Sequence, residues 1–556
     1  MKKYIFIILL AIGAFSVASC EKFLDVQAQG APTQNQYFQN DQQAIDAIDG
    51  VYARLAQESC MGRELYWEQA VANDIVWGRG RSFNTLATYE YTGDESPLRS
   101  VFGNAYTQGM NRCNWVIQQL LIKQETTTLT AVEKRSLGEA YFMRAYWHFL
   151  IAYRYGTKDL GVPFVAYEAV EGGYNNEIPA QQESVMKDYE LIVADLQKAE
   201  EILPKFEEYG AADRGRAHKA AAAAVMAKVY AFWATWDKSQ WPNVITCVNR
   251  LEQNYGRALH PVFKELFAPD PVEKAFWNKV YCWAYPSSGK PDGKGGGSIE
   301  FPGVSLENKG WGKFNGWGQF KPSYDIYEEM AKDNVGGVKN ERLAATILEY
   351  GDVFPYFGED RVYWSSSDVE SGFQIYKFLQ PFAPADPHGM GYVLNNPDWP
   401  CTRINWPIVR FADCLLLRAE AELVAGDGAS AAKDINKIRE RSHLTPISGN
   451  ATWADLYHER RCELAFEMAA DHAADCKRWA VGGAPEIKAL AVAELNSHPR
   501  VRHYADRTDP NSTFEIGPYE DYKNQLPWNE KYITFPYPSE QINKSAGALK
   551  NPPSWQ

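Results

Sequence analysis

Positive charge is scarce in this sequence. Lys and Arg total 57 against 70 Asp and Glu, giving a net charge of −13, and the basic residues nowhere gather into a patch. Nucleic acids bind largely through such patches, because phosphate neutralisation supplies much of the affinity. A nucleic-acid partner is therefore excluded. Long hydrophobic runs are absent after residue 19, which excludes a membrane-spanning helix in the body of the chain. The nine cysteines include no Cys-x-x-Cys pair, and Cys113, Cys414 and Cys462 lie in apolar, helical contexts. These spacings carry no disulfide scaffold, and buried free thiols fit them as well as any pairing. Signatures of catalysis are missing too: no strand–turn–helix nucleophile elbow and no His-Glu-x-x-His motif occurs. His458 and His472 are fourteen residues apart with no third ligand defined, so no metal and no cofactor are expected. Asp292-Gly293 and Asp333-Asn334 are turn formers without calcium-loop spacing. Seventy acids can always supply two that imitate a glycosidase pair, but sequence alone sets no distance between them.

The N-terminus has a different composition. Lys2 and Lys3 precede an almost continuously apolar run from Ile5 to Ala18, too short for a membrane span and typical of an export signal. Val17-Ala18-Ser19-Cys20 resembles a bacterial lipobox, which implies cleavage before Cys20 and a lipid on its thiol. An ordinary secretory peptide with a free cysteine nearby is the alternative. Residues 20–40 are Gln-rich and carry Gly30 and Pro32, the composition of a tether.

Helical periodicity dominates 41–255 and 403–480. Asp41 to Glu58, Leu98 to Leu121, Ala131 to Tyr155 and Ser184 to Ile202 each carry an apolar line. Gly156 is placed to end the third of these, and Pro204 to stop the fourth. An alanine-rich helix carries Val225, Val229, Phe232 and Trp236 at helical spacing. From Arg403 onward, Ile408, Phe411, Leu415, Ala419 and Leu423 form a stripe that Gly426-Asp427-Gly428 interrupts before a second periodic run. That reads as a helical hairpin. Thr452 to Met468 adds a third helix, with Thr452 and Asp455 spaced to cap its start. Ala419, Ala421, Ala425, Ala431 and Ala432 permit close helix approach. The expectation is a mainly α fold, a tetratricopeptide-like stack of helix pairs, although no 34-residue repeat is evident.

Residues 256–402 and 481–556 are loop-rich, with short helices expected at Tyr324 to Met330 and Glu341 to Leu348 and short strands around Trp364. Many of the 18 Trp fall in Gly- and Pro-rich segments here and near residue 77. A sugar site needs an aromatic ring to cover the less polar face of a pyranose and polar groups to meet its hydroxyls. Trp77 with Arg79 and Arg81, preceded by Asn73 and Asp74, has that composition; Asn73 fits a turn or cap equally. Trp283 and Tyr285, then Trp311 and Trp317 between glycines, form a second group, with Trp364 weaker. Packing of these rings onto the helices is the competing reading for each. Trp147, Trp233 and Trp236 sit in helices and read as core. Arg410, Arg418, Arg460 and Arg461 read as a structural ion-pair lattice joining helices, and not as a site.

Several segments, taken in order, resemble the SusD/RagB family of outer-membrane nutrient-binding lipoproteins. They are Cys20-Glu21-Lys22-Phe23-Leu24-Asp25; Ala140 to Gly156 followed by Val162-Pro163; Lys321-Pro322-Ser323-Tyr324 with Arg342; Arg410 to Ala421; Glu459-Arg460-Arg461 and Glu463-Leu464-Ala465-Phe466-Glu467; and Phe535-Pro536-Tyr537-Pro538. After Glu467 the family's usual Gly is absent, and Met468 to Trp479 departs from its pattern. The resemblance implies four tetratricopeptide-like helix pairs in a single SusD-like body over 41–556, with loops forming the ligand face. It implies a surface-facing lipoprotein of the outer membrane, anchored through Cys20. It also implies a TonB-dependent SusC-like transporter as partner, and non-catalytic capture of oligosaccharides. Peptide capture on the same fold is the alternative; a glycan-cleaving lipoprotein is the reading from a different class.

Overall fold

The computed structural model describes residues 37–69, 71–77, 81–164, 180–267, 277–286, 318–356, 359–364, 371–379, 404–467, 472–507, 509 and 511–556. Its longer helices are α1 (Asp41–Tyr52), α2 (Asn111–Thr126), α3 (Ala131–Tyr155), α4 (Val185–Ile202), α5 (Lys219–Trp233), α6 (Trp241–Gln253), α7 (Phe411–Val424), α8 (Gly428–Arg441), α9 (Trp453–Glu463), α10 (His472–Gly482) and α11 (Pro485–Leu495). Each packs on its neighbour in the series: α1 and α2 on α3, α3 on α4, α4 on α5, α5 on α6. The series continues from α6 to α7 across the excursion of 256–402, then to α8 and α9. The result is mainly helical, built of successive packed helix pairs. One connected core runs from Phe38 to Leu549, and no helix of the described residues is long and apolar enough to cross a membrane.

The central helix is α3, buried at every position from Ser136 to Ala152. Helices apolar on one face only need one partner; this one is covered all round, so its polar residues must be matched inside. Arg144 donates two bonds of 2.7 Å to Asp195 and one of 2.8 Å to Asn114, and His148 Nε2 lies 2.8 Å from Asp188. Thr130 accepts from the Glu133 amide while Glu133 accepts from the Thr130 amide, a capping box that fixes the start. Gly156 ends α3 in extended backbone and not in the left-handed form. Its need for glycine is steric: a Cβ there would lie 2.7 Å from Val185 Cγ2. The alanine run of α5 has a matching cause. Every residue from Ala220 to Phe232 is buried, and small side chains allow neighbours on all sides.

The region read as one helix from Leu98 to Leu121 is three joined pieces: Ser96–Phe102, a π-helical segment Gly103–Met110, and α2. Gly109 lets the Trp147 ring lie against the backbone, since a Cβ would meet its Cδ1 at 2.7 Å. Ile408 is not on a helical stripe. Residues Trp406–Arg410 form strand β8, buried throughout, and α7 begins only at Phe411. Pairing with the distant strand Tyr281–Tyr285 explains the difference, because its ladder holds residues up to Arg410 extended, a partner that local periodicity cannot show. Asp427, within the Gly-Asp-Gly interruption, caps α8 by accepting from the Ser430 amide. Thr452 and Asp455 form the expected capping box of α9. The excursions hold more order than their composition suggests. α11 lies in the 481–556 segment, and two-stranded antiparallel ribbons pair β1 (Ile75–Trp77) with β3 (Phe320–Pro322), β2 (Tyr281–Tyr285) with β8, and β4 (Ile347–Glu349) with β7 (Phe373–Ile375). Two more pair β5 (Val353–Tyr356) with β6 (Glu359–Val362), and β9 (Arg500–Tyr504) with β10 (Phe514–Pro518).

The arginines form the lattice expected of them. Arg410 reaches Glu463 and Glu467 at 2.7 Å each, Arg418 pairs with Asp434, Arg460 bridges Asp413 and Asp475, and Arg461 binds Asp74. The seven described cysteines are buried free thiols.

Candidate ligand-binding face

Strands β1 and β3 are 245 residues apart in sequence yet pair with Ile75 opposite Pro322 and Trp77 opposite Phe320. The Ser323 amide extends the ribbon by donating to the Asp74 carbonyl at 2.9 Å. Because the pairing is antiparallel, the chain leaves β1 toward residues 78–80 and enters β3 from 318–319 at the same end. Trp77, the last residue of β1, therefore stands at the ribbon end where β3 begins with Phe320. Trp77 is described by its backbone and Arg81 opens a short helix, Arg81–Ala87. Arg79, Trp311 and Trp317 lie outside the described residues, as does Cys20.

Two candidates prove to be structural. Asn73 is buried; its Oδ1 accepts from Arg461 at 2.6 Å and its Nδ2 donates to Ser497 Oγ at 2.6 Å, so its amide is committed to holding the turn before β1. Trp283 is 1% exposed. Its indole N–H donates to the Gly215 carbonyl at 3.0 Å, and its ring meets Phe142 and Tyr146 edge-on at 4.7 and 4.8 Å. No ring face is open for a sugar. The reason is that β2 is buried at four successive positions, Tyr281 to Ala284, instead of alternating. Tyr285, the last residue of β2, is half-buried opposite Trp406 and stays a candidate.

A further aromatic cluster joins three distant segments. Tyr350, after β4, stands 4.6 Å from Trp364 and 5.0 Å from Tyr504 of β9; Tyr504 is 5.2 Å from Phe514 of β10. The Arg502 guanidinium lies 4.6 Å over Phe514 and 4.5 Å over Phe373, and donates to Glu349 at 2.8 Å. Phe514 is 42% exposed. The cluster adjoins the β1–β3 ribbon, because Val76 of β1 packs on Val501 of β9 and Lys321 of β3 donates to Gln374 of β7. The Arg502 guanidinium holds the rings together, and the exposed part of Phe514 is the aromatic surface left for a ligand. Trp364 hints at this cluster in the sequence; Tyr504 and Phe514 carry no local signal, since only the ribbon pairing brings them to it.

The family model described as "SusD family" matches residues 277–555, half of the chain. The chain belongs to the SusD family. A second model, "Starch-binding associating with outer membrane", matches residues 22–231 of this SusD-family chain. It is 26% identical over 505 residues to SusD-like protein P2 of Formosa agariphila, covering 86% of this chain and 90% of that one. A SusD-like protein of Bacteroides ovatus is 22% identical over 485 residues, 83% of this chain and 80% of the relative. Among solved structures, a SusD-like protein of Bacteroides fragilis superposes with TM-score 0.71 at 19% identity, covering 93% and 98% of the two chains. A protein named as a laminarin-binding SusD-like protein gives TM-score 0.67 at 19% identity, covering 92% and 99%. Members of the SusD family bind glycans at the cell surface and act with SusC transporters, and the family is generally non-catalytic. Membership carries with it the outer-membrane, surface-exposed placement of the family.

Proposed function

We propose that this SusD-family chain captures an oligosaccharide without cleaving it and delivers it to a TonB-dependent, SusC-like transporter. Cys20 carries the lipid that anchors it, and residues 20–40 tether a single body over 41–556. Stacked tetratricopeptide-like pairs serve as a rigid platform. The ligand face is the end of the β1–β3 ribbon, with Trp77, Arg79, Arg81, Trp311 and Trp317. It extends to Tyr285 and to the rim of Tyr350, Trp364, Tyr504 and Phe514. The observation that carries this reading is the pairing of β1 with β3, two strands far apart in sequence, which sets Trp77 opposite Phe320 beside a partly exposed aromatic cluster. Similar solved proteins named as laminarin-binding and as surface glycan-binding protein A of Bacteroides uniformis support the ligand class. Stacking against rings with hydrogen bonds to a wet groove suits a ligand that must be released to a partner.

The test is calorimetry of a chain beginning after Cys20 against a panel of glycans, including laminarin and starch, and of peptides, with the mixtures checked for cleavage products. Saturable glycan binding without products is the expected result. Binding of peptides alone replaces the ligand class, and turnover overturns the non-catalytic reading.

A further inference from the structure

We propose that His472, Cys476, Glu494 and Asp74 form a binding site for a zinc-class divalent cation, which clips α10 and α11 to the turn that launches β1. His472 and Cys476 are four residues apart on α10, so their side chains share one face. Glu494 comes from the last turn of α11, which packs on α10, and Asp74 immediately precedes β1. The donor atoms of His472, Cys476 and Glu494 all lie within 4.8 Å of one another. His472 Nε2 is 3.0 Å from each Glu494 oxygen and 3.4 Å from Cys476 Sγ. Cys476 Sγ is 3.6 Å from Glu494 Oε2, and Asp74 Oδ2 is 3.9 Å from His472 Nε2.

The 3.4 and 3.6 Å separations of Cys476 Sγ from His472 Nε2 and Glu494 Oε2 match the edges of a coordination tetrahedron, while the 3.0 Å between His472 and Glu494 is a hydrogen-bond distance that must open to admit an ion, and Asp74 Oδ2 stands farthest, 3.9 Å from His472 Nε2. With the usual zinc bond lengths to nitrogen, oxygen and sulfur, adjacent ligands stand about 3.4–3.6 Å apart. One nitrogen, one sulfur and two carboxylates suit zinc or cobalt; calcium and magnesium would take oxygen throughout. Charge balances as well. Two carboxylates and a thiolate carry three negative charges, which a divalent ion and the Arg461 guanidinium cancel. Arg461 donates to Asp74 Oδ1 at 2.6 Å, which leaves Oδ2 for the cluster, and lies 3.7 Å from Glu494 Oε1. Tyr457 O–H donates to Glu494 Oε2. Partners of this kind orient ligating carboxylates. His472 Nδ1 is buried with no partner among the described residues, so Nε2 is the nitrogen turned to the acids.

The chain contains its own comparison. His458 and Cys462 on α9 have the same four-residue spacing, and Cys462 Sγ is 3.8 Å from His458 Nδ1. There, however, both ring nitrogens are occupied, by Glu329 at 2.6 Å and Asp333 at 3.0 Å, and Arg342, Arg439 and Lys332 pair with those acids. That cluster is a closed ion-pair network. In the α10 cluster, by contrast, His472 Nδ1 has no partner among the described residues, and Nε2 meets Glu494 and Cys476 together.

The test is cobalt(II) titration of the full chain, purified without chelator and then stripped of metal. Binding at about one equivalent with a thiolate-to-cobalt charge-transfer absorption, displaced by zinc, is expected. Cys476→Ser and His472→Gln should each abolish the charge-transfer band while Cys462→Ser keeps it. Zinc should raise the melting temperature of the stripped wild-type protein, and chelator should reverse the rise. Absence of the band in folded wild-type protein overturns the proposal, as does its survival in Cys476→Ser or its loss in Cys462→Ser. Should both ligand variants fail to fold, the wild-type spectrum and the chelator-reversible shift decide alone. The site would then be a hydrogen-bonded cluster if neither appears.

Discussion

At the scale of single residues, the buried acids decide how this protein responds to pH. Glu463 is fully buried and faces Arg410 at 2.7 Å as well as Arg342 and Arg441. Burial alone would push its carboxyl up, but the guanidiniums of Arg441, Arg410 and Arg342 outweigh that and hold it at about 2. Burial likewise opposes Glu329, and His458, Lys332 and Arg461 bring it down to about 2. An unfolded glutamate titrates near ~4.3. Both folded values lie below it, so the stability these groups contribute is present above about pH 4.3 and drains as pH falls toward 2. Urea unfolding measured from pH 6 to 3 should show this loss. Glu463→Gln leaves the arginines without their shared anion and should cost about 3–5 kcal/mol at neutral pH. Its stability should also fall less steeply with acid than that of wild type; an unchanged slope would remove Glu463 from the account. The structural role of Arg410, Arg418, Arg460 and Arg461 was legible in the sequence, since arginine and acid recur along helical segments with few exposed alternatives. The geometry behind it was not. Arg410 and Arg418 do not share a helical face, because Arg410 belongs to β8.

At the scale of elements, legibility followed local signals. α3 was read with its observed bounds from its apolar line and the glycine after its last residue, while the Thr130–Glu133 capping box at its start went unread. α6 and α11 were missed as elements. Their beginnings, at Trp241-Pro242 and Pro485, have no side-chain cap, and proline in the first turn was the one start signal available. The π-helical segment Gly103–Met110 was invisible for another reason. No residue pattern marks it; in the fold, the fully buried Trp147 ring lies against its Gly109. Gly109→Ala tests this. In an ordinary exposed helix the change would stabilise by up to about 1 kcal/mol. Here the new methyl meets a ring that has nowhere to go, and overpacking should win with a net loss of about 1–2 kcal/mol. Thermal or urea unfolding reads the sign directly, and stabilisation would show that the glycine is there for helix geometry and not for Trp147.

At the scale of the whole molecule, helices supply the body and short ribbons supply the candidate face. The sequence pointed to aromatic residues outside the long helices but could not sort them, because a ring there can face a ligand or pack onto the helices, and long-range pairing decides which. Trp283 went to the core while Tyr285, two residues later, did not. Phe514 gave no signal at all, since its neighbours Tyr504 and Tyr350 reach it only through pairing across β9–β10 and packing beside β4. This division of labour makes two aromatic deletions separable. Trp283→Ala removes a buried ring and its hydrogen bond to Gly215, and should lower stability by about 3–5 kcal/mol. The molecules that remain folded should bind glycan with near wild-type affinity. Phe514→Ala removes a ring that is 42% exposed and should leave the unfolding midpoint almost unchanged. If the rim formed by Tyr350, Trp364, Tyr504 and Phe514 is where a pyranose stacks, the same change should weaken binding by roughly tenfold, about 1.4 kcal/mol, within the range of a lost aromatic contact. Calorimetry on the two variants at matched folded fractions separates scaffold from face. Intact affinity in Phe514→Ala would confine the ligand to the β1–β3 ribbon end, where Trp77 stands opposite Phe320.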